Sequence, residues 1–233
     1  MTVDAPLRDL VIAMDGTAGS GKSSASKGVA TRLGLRYLDT GAMYRAMAWR
    51  MLLDGIDVAD TEAVAARAET VSIGSGTNPE MPTISLDGLD VSTEIRSAAA
   101  TQAVSAVSAV PRVRQLLVAM QRATIGHGGI VVEGRDIGTV VAPNAQLKVY
   151  LSADPAARAV RRAAELSPDQ ARDVAVVEAD LRRRDTYDSS RVTDPLKPAA
   201  DAVAIDSTDL TLEQVIELVA RLALERVAAG KPS

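Results

Sequence analysis

Eight residues, Gly16-Thr17-Ala18-Gly19-Ser20-Gly21-Lys22-Ser23, spell GTAGSGKS between the apolar run Leu10-Val11-Ile12-Ala13-Met14 and a stretch, Ser23 to Leu33, that can continue as a helix. Strand, loop and helix in that order are the setting in which the G-x-x-x-x-G-K-[ST] pattern binds phosphate. Glycines let the backbone curl so that successive N–H groups point at a phosphate chain, and the helix behind presents the positive end of its dipole. Lys22 adds a mobile charge for the β- and γ-phosphates, and the Ser23 hydroxyl can hold Mg²⁺. The loop is therefore expected to bind a nucleoside triphosphate through Gly16, Thr17, Ala18, Gly19, Ser20, Gly21, Lys22, Ser23 and Ser24.

Other charged residues also sit where chemistry is possible. In Asp39-Thr40-Gly41-Ala42-Met43-Tyr44-Arg45, Thr40 can cap a helix whose Met43, Ala46, Met47 and Met51 form an apolar face. Arg45 lies off that face, near the carboxyl edge where open parallel sheets bind ligands. It is either a clamp for an acceptor phosphate or a surface arginine of an amphipathic helix. Ile130-Val131-Val132-Glu133-Gly134-Arg135-Asp136 runs from a buried strand into three ionisable groups, which are costly to bury without partners. A phosphate for Arg135 and a hydrogen-bonding base for Asp136 would supply them. Arg158, Arg161 and Arg162 have i, i+3, i+4 spacing and share one helix face. That face is either solvated or belongs to a mobile lid whose arginines stabilise a phosphoryl group in transfer.

A phosphate loop alone admits a GTPase switch, a motor ATPase or a small-molecule kinase. No guanine-reading N-K-x-D is present, no apolar run ends in an Asp-Glu pair of the ATPase type, and 233 residues leave no room for an effector domain. Phosphate transfer to a small acceptor remains, with a nucleotide-dependent switch or binding module as its rival. Zero cysteines exclude disulfides, thiolate metal sites and a cysteine nucleophile. The single histidine, His127, lies in Gly126-His127-Gly128-Gly129 and reads as a loop residue, which removes histidine-driven catalysis. A net charge of −4 and a pI of about 5.2 argue against a nucleic-acid partner. Arginines grouped at 158–162 and 182–191 instead suggest small polyanionic ligands. No apolar run reaches the ~18 residues of a membrane span, and MTVDAPLRDL lacks the basic flank and apolar segment of a leader, so a cytoplasmic enzyme is expected.

The elements that must position these residues follow from pattern. Short apolar runs recur at Leu35–Leu38, Ile130–Val132, Leu147–Leu151 and Ala202–Ile205, separated by helical stretches. Strands alternating with helices predict a mostly parallel sheet covered on both faces. Helix starts are announced by Asp154-Pro155 and by the capping boxes Ser167-Pro168-Asp169-Gln170 and Thr211-Leu212-Glu213-Gln214. After the last of these, Val215, Ile216, Val219, Leu222 and Arg226 lie on one stripe that should pack on the sheet, with a fraying tail from Ala228 to Ser233. From Glu69 to Val91 the period changes to two, with turn signals at Asn78-Pro79 and Asp87-Gly88, which predicts a small antiparallel insert of about three strands.

With these motifs in place, the chain resembles the bacterial cytidylate kinase family of nucleoside monophosphate kinases. GTAGSGKS, LDTGAMYR, DGLDVSTEIRS, SAVSAVPRVR, VEGRDIGTVV, the arginine face at 158–162, RRRDTYDSSR and DPLKPAADAVAIDST occur in family order across nearly the whole sequence. The resemblance implies an α/β P-loop kinase fold: a five-stranded parallel sheet flanked by helices, a small antiparallel β insert for the monophosphate, and a helical lid. The implied core covers residues 1–66 and 105–233, with the lid near 155–185, and the implied insert covers 67–104. It implies transfer of the γ-phosphate of ATP to CMP or dCMP with Mg²⁺, small-molecule partners only, and a monomer. By motif position, Arg45, Arg135 and Arg191 would bind the acceptor phosphate beside the Thr40 hydroxyl. Ser105, Arg114 and Asp136 would read cytosine, and Arg184 with Asp188 would hold the sugar. Lys22, Arg135 and Arg158 would act on the transferring group, with Arg158 and Arg161 on ATP, and Glu133 would face Mg²⁺ through water. Tyr187 departs from the family, standing at a commonly charged position.

Overall fold

The protein was analysed as a computed structural model that describes residues 7–164, 173–191 and 193–229. In chain order, β1 (Val11–Gly16) leads through the phosphate loop to α1 (Lys22–Leu33), then β2 (Arg36–Asp39), α2 (Thr40–Leu53) and α3 (Thr61–Ala68). β3 (Ile73–Ser75), β4 (Ile84–Leu86) and β5 (Leu89–Asp90) form the insert, followed by a 3-10 turn at Glu94–Arg96, α4 (Ala98–Ala109) and α5 (Pro111–Ile125). β6 (Ile130–Gly134) enters a π-turn at Ile137–Val141, and β7 (Leu147–Ser152), α6 (Pro155–Ala164), α7 (Val174–Ser190), β8 (Val203–Asp206) and α8 (Leu212–Ala229) complete the fold.

The main sheet is parallel throughout and has five strands in the order β2-β6-β1-β7-β8. Its strands alternate between two cores. Ala13, Leu38, Ile130 and Val132 face the α2–α4–α5 side, whereas Ile12, Met14, Tyr37 and Val131 face the α1–α8 side. This double burial is why these strands read as unbroken apolar runs. The insert is a three-stranded antiparallel sheet in the order β3-β4-β5, as the change of period predicts. The Tyr37 N–H donates to the Thr77 carbonyl at 2.9 Å and ties the insert to the edge of the main sheet.

The helix signals are realised with one correction. Asp39, not Thr40, caps α2: it is the last residue of β2, its backbone is extended, and its carboxylate accepts from the Ala42 N–H at 2.8 Å. Met43, Ala46, Met47 and Met51 are buried as expected. Asp154 caps α6 through the Ala156 N–H, and Thr211 and Gln214 make the reciprocal capping box of α8. Val215, Ile216 and Val219 are buried in the α1–α8 core, with Leu222 packed against it. The capping box at Ser167–Gln170, the middle of the lid and residues 230–233 of the tail lie outside the described residues. His127 is exposed in the turn before β6. No single helix among the described residues is long and apolar enough to cross a membrane.

The turn before β6 fixes that strand's entry. An alanine at Gly128 would set its Cβ 2.5 Å from the Asp9 carbonyl oxygen at a φ of +112°. Gly128→Ala is expected to lose about 1–3 kcal/mol of stability, read as a lower urea midpoint at unchanged slope.

Candidate active site

Register explains why charge converges. Asp15 pairs across β1 with Gly134, and Asp39 pairs across β2 with Glu133, so Asp15, Asp39 and Glu133 end neighbouring strands at the same carboxyl edge. Asp15 is buried, and its two oxygens accept from the N–H groups of Ile137 and Gly138 at 2.7 Å each. Burial is the larger influence and pushes its carboxyl up to about 6, against those two hydrogen bonds. Arg135 Nη1 donates to the Gly16 carbonyl at 2.6 Å. The end of β1 thus holds the Arg135–Gly138 segment by side chain and backbone together.

The phosphate loop begins at that point. Gly21, left-handed at φ 84°, is the cap of α1. Lys22 Nζ donates to the Thr17 carbonyl at 3.3 Å, inside the curl where a phosphate chain would run. Withdrawal from water and then the nearby Arg135 guanidinium push Lys22 down to about 7. Ala18, Gly19, Gly21, Lys22, Ser23 and Ser24 line a polar cavity with Lys27, Arg45, Arg96, Arg162 and Arg184. Gly16, Thr17 and Ser20 shape the loop from behind; the hydroxyls of Thr17 and Ser20 are buried without a hydrogen-bond partner.

An adjoining cavity gathers every residue expected to bind the acceptor: Thr40, Arg45, Ser105, Arg114, Arg135, Asp136, Arg184, Asp188 and Arg191, together with Lys22 and Ser23. Three of its arginines arrive paired with carboxylates. Arg45 meets Asp39 at 3.0 Å, and Arg135 Nε meets Asp188 at 2.9 Å. Arg114, only 2% exposed, donates to Asp136 and, at 2.7 Å, to Asp194. Burial raises the Asp136 carboxyl above its ordinary range, against the opposing pull of Arg114. The Thr40 hydroxyl donates to the Glu133 carbonyl at 2.7 Å, and Ser105 stands on α4. Burial, with the charges of Arg135 behind it, lowers Arg184 to about 10, and its Nε is buried without a hydrogen bond.

The three lid arginines diverge. Arg158 is buried, donating to the Ala18 carbonyl at 2.9 Å and pairing with Asp185. Arg161 donates to the carbonyls of Ser207 and Thr208 at 2.6 and 3.0 Å. Of the three, Arg162 lines the phosphate cavity, whereas Arg158 and Arg161, the two expected on ATP, are turned instead to Ala18 and Asp185 and to Ser207 and Thr208. The Asp185 carboxylate also accepts from the Ala18 N–H at 3.0 Å, so the peptide groups around Ala18 are gripped from both sides.

Sequence reasoning missed Asp15, Asp39, Asp185 and Asp194 as parts of the site. The acidic residue directly between the apolar run and the first glycine was a usable signal for Asp15. Nothing in the sequence links Asp185 to Arg158 or Asp194 to Arg114, since each pair forms only through the fold. Arg96, from the DGLDVSTEIRS segment, was likewise passed over. The Tyr37 hydroxyl, donating to Glu133 at 2.8 Å, gives that buried carboxylate one partner, while the other Glu133 oxygen has none.

Comparison with known proteins shows the family. The profile of the cytidylate kinase family matches residues 12–225. The cytidylate kinase of Streptomyces avermitilis is 54% identical over 222 residues, covering 94% of this chain and 95% of its own. That of Nocardia farcinica is 51% identical, covering 99% of each. That of Streptomyces griseus is 52% identical, covering 98% of this chain and 99% of its own. The chain belongs to the cytidylate kinase family, and is a kinase that phosphorylates nucleoside monophosphates.

Because the Asp15 carboxyl is raised in the fold, its contribution to stability is fully present below about 3.8 and is lost as pH rises through about 6. The loss amounts to about 3 kcal/mol. Asp15→Asn carries no such titration, although its amide leaves one of the two N–H donors facing another donor. The stability gap between parent and Asp15→Asn is expected to narrow between pH 4 and pH 7, measured by urea unfolding at each pH.

Proposed function

We propose that this enzyme transfers the γ-phosphoryl group of ATP to CMP or dCMP, giving CDP or dCDP and ADP. The carrying observation is the buried pair Arg114 and Asp136 in the wall of a cavity whose other residues include Arg45, Arg135 and Arg191. Cytosine offers an N4 amino donor with N3 and O2 acceptors; uracil offers an O4 acceptor and an N3–H donor. With Asp136, which only accepts when ionised, facing position 4 and Arg114, which only donates, facing N3 and O2, cytosine satisfies both, whereas uracil would set O4 against the carboxylate and N3–H against the guanidinium. Ser105, able to donate or accept, would complete the base contacts, with Arg184 and Asp188 at the sugar.

Arg45, Arg135 and Arg191 would hold the acceptor phosphate and the loop the donor phosphates, with Arg158 and Arg161 steadying the lid that grips Ala18. An acceptor phosphate oxygen attacks the γ-phosphorus, the bond to the β-bridging oxygen breaks, and ADP leaves with that electron pair. The acceptor is already an anion, so no strong general base is required; in-line positioning and charge neutralisation by Lys22 and the arginines lower the barrier.

The donors around Ser23 suit Mg²⁺. Its hydroxyl shares a cavity wall with the carboxylates of Asp39 and Glu133, and Glu133 Oε2 is buried without a partner. Hard oxygen donors of this kind fit a cation that keeps several waters, although no cluster of three His, Cys, Asp or Glu occurs among the described residues. Ser23 would be the direct ligand, with Asp39 and Glu133 acting on bound water. When bound, Mg²⁺ neutralises charge on the β- and γ-phosphates. We further take residues 67–104 as the monophosphate-binding insert and the rest as core and lid, working as a cytoplasmic monomer without nucleic-acid or membrane partners.

The test is ADP release across CMP, dCMP, UMP and AMP. CMP and dCMP should be the best acceptors, and equal rates with UMP or AMP would overturn the assignment. Asp136→Asn should lower the CMP to UMP ratio of kcat/KM by a differential of about 1–3 kcal/mol. A second expectation concerns Lys22, which burial and the Arg135 guanidinium push down to about 7 in the free enzyme. A polyphosphate favours its charged form, so ATP binding should take up protons near neutral pH, more at pH 8 than at pH 7. Calorimetry in buffers of different ionisation enthalpy measures this, and the uptake should be smaller in Lys22→Ala.

A further inference from the structure

Asp194 stands outside every role assigned so far, yet it touches two of the site's arginines. Its Oδ2 accepts from Arg114 Nε at 2.7 Å, and its main-chain carbonyl accepts from Arg191 Nη2 at 3.1 Å. Its backbone is left-handed at φ +51°, one of two such non-glycine residues among those described. That conformation costs energy and persists only where its surroundings hold it. The Leu196 N–H, donating to the Asp188 carbonyl at 2.8 Å, and the buried Leu196 side chain anchor the segment to the end of α7.

The arrangement answers a difficulty in base recognition. Arg114 and Asp136 are bonded to each other in the free enzyme. Both must turn hydrogen-bonding capacity towards an incoming base, and a buried guanidinium with one carboxylate partner would follow that carboxylate. A second carboxylate on Nε fixes the plane of the guanidinium while its terminal N–H groups exchange partners. Arg114 is further held by the Ser108 carbonyl at 3.4 Å and by the Tyr44 ring, 5.5 Å from its central carbon to the ring centroid. Neither of these can replace the charge-assisted bond to Nε.

We propose that Asp194 is a positioning residue for pyrimidine recognition: it presets Arg114 for the base and, through its carbonyl, ties that arginine to Arg191 at the acceptor phosphate. This rests on the reading of Arg114 as a base contact. Without the Asp194 carboxylate, Arg114 closes on Asp136 and the pair withdraws from the base.

The test is steady-state kinetics of Asp194→Gly, which keeps the left-handed backbone, and Asp194→Asn, which keeps an acceptor and tolerates that backbone. Asp194→Gly is expected to raise KM for CMP about tenfold and to lower the CMP to UMP ratio of kcat/KM several-fold, leaving KM for ATP unchanged. Asp194→Asn should fall between it and the parent. In an Arg114→Ala background the Asp194→Gly change should cost nothing further, because it acts through Arg114. Parent-like KM and ratio in a folded Asp194→Gly would overturn the proposal, as would an equal loss in the Arg114→Ala background. If Asp194→Gly does not fold, Asp194→Asn decides, parent-like KM and ratio again counting against it. Should the parent itself prefer UMP, the cytosine reading fails, and KM for UMP then reads Asp194 in the same way.

Discussion

Mutual repulsion among cations is the constraint around which this structure is organised. Lys22, Arg45, Arg114, Arg135, Arg184 and Arg191 line one cavity at one end of a sheet. Six positive charges held that closely, without a ligand, would drive the fold apart. Carboxylates interleaved among them prevent this: Asp39 for Arg45, Asp136 and Asp194 for Arg114, and Asp188 for Arg135. The counter-charges are neighbours of the places where substrate oxygens would go. Burial first, and the neighbouring Arg135 guanidinium second, push Lys22 down to about 7 and Arg184 to about 10.

The parallel sheet is what makes such interleaving possible. Strands running the same way finish together, so residues distant in sequence end at one edge. Pairing of β1 with both β6 and β7 puts the phosphate loop beside the segment that follows β6. Asp15 then locks the two by receiving the first two N–H groups of the π-turn. The phosphate loop and the segment after β6 are therefore set relative to one another by a buried carboxylate and by backbone.

What could be read from the sequence was whatever is local. The phosphate loop is eight contiguous residues, the insert declares itself by a change of period, and the strands by apolar runs. The residues expected at the acceptor all line one cavity, because the motifs that carry the family resemblance are also short and continuous, but Asp39 in the same wall escaped them. Pairings were not legible: Arg114 and Asp136 are 22 residues apart, Arg135 and Asp188 53, and Arg114 and Asp194 80. The directions of Arg158, Arg161 and Arg162 were beyond reach for the same reason, since helical spacing gives a face but not what lies opposite. At Asp39-Thr40 two good capping residues are adjacent, and the choice between them is made by where β2 ends.

α6 and α7 have a small apolar core of their own, in which Ala159, Val177 and Leu181 surround Ala18 of the phosphate loop. Most of these side chains are short, and the cluster is far smaller than either core flanking the sheet. Local opening draws on the least stable parts of a fold, and this seam has far less apolar packing than the sheet, with the Arg158–Asp185 pair added across it. Because Ala18 belongs to both the phosphate loop and this cluster, the packing of α6 and α7 and the shape of the loop meet in a single contact.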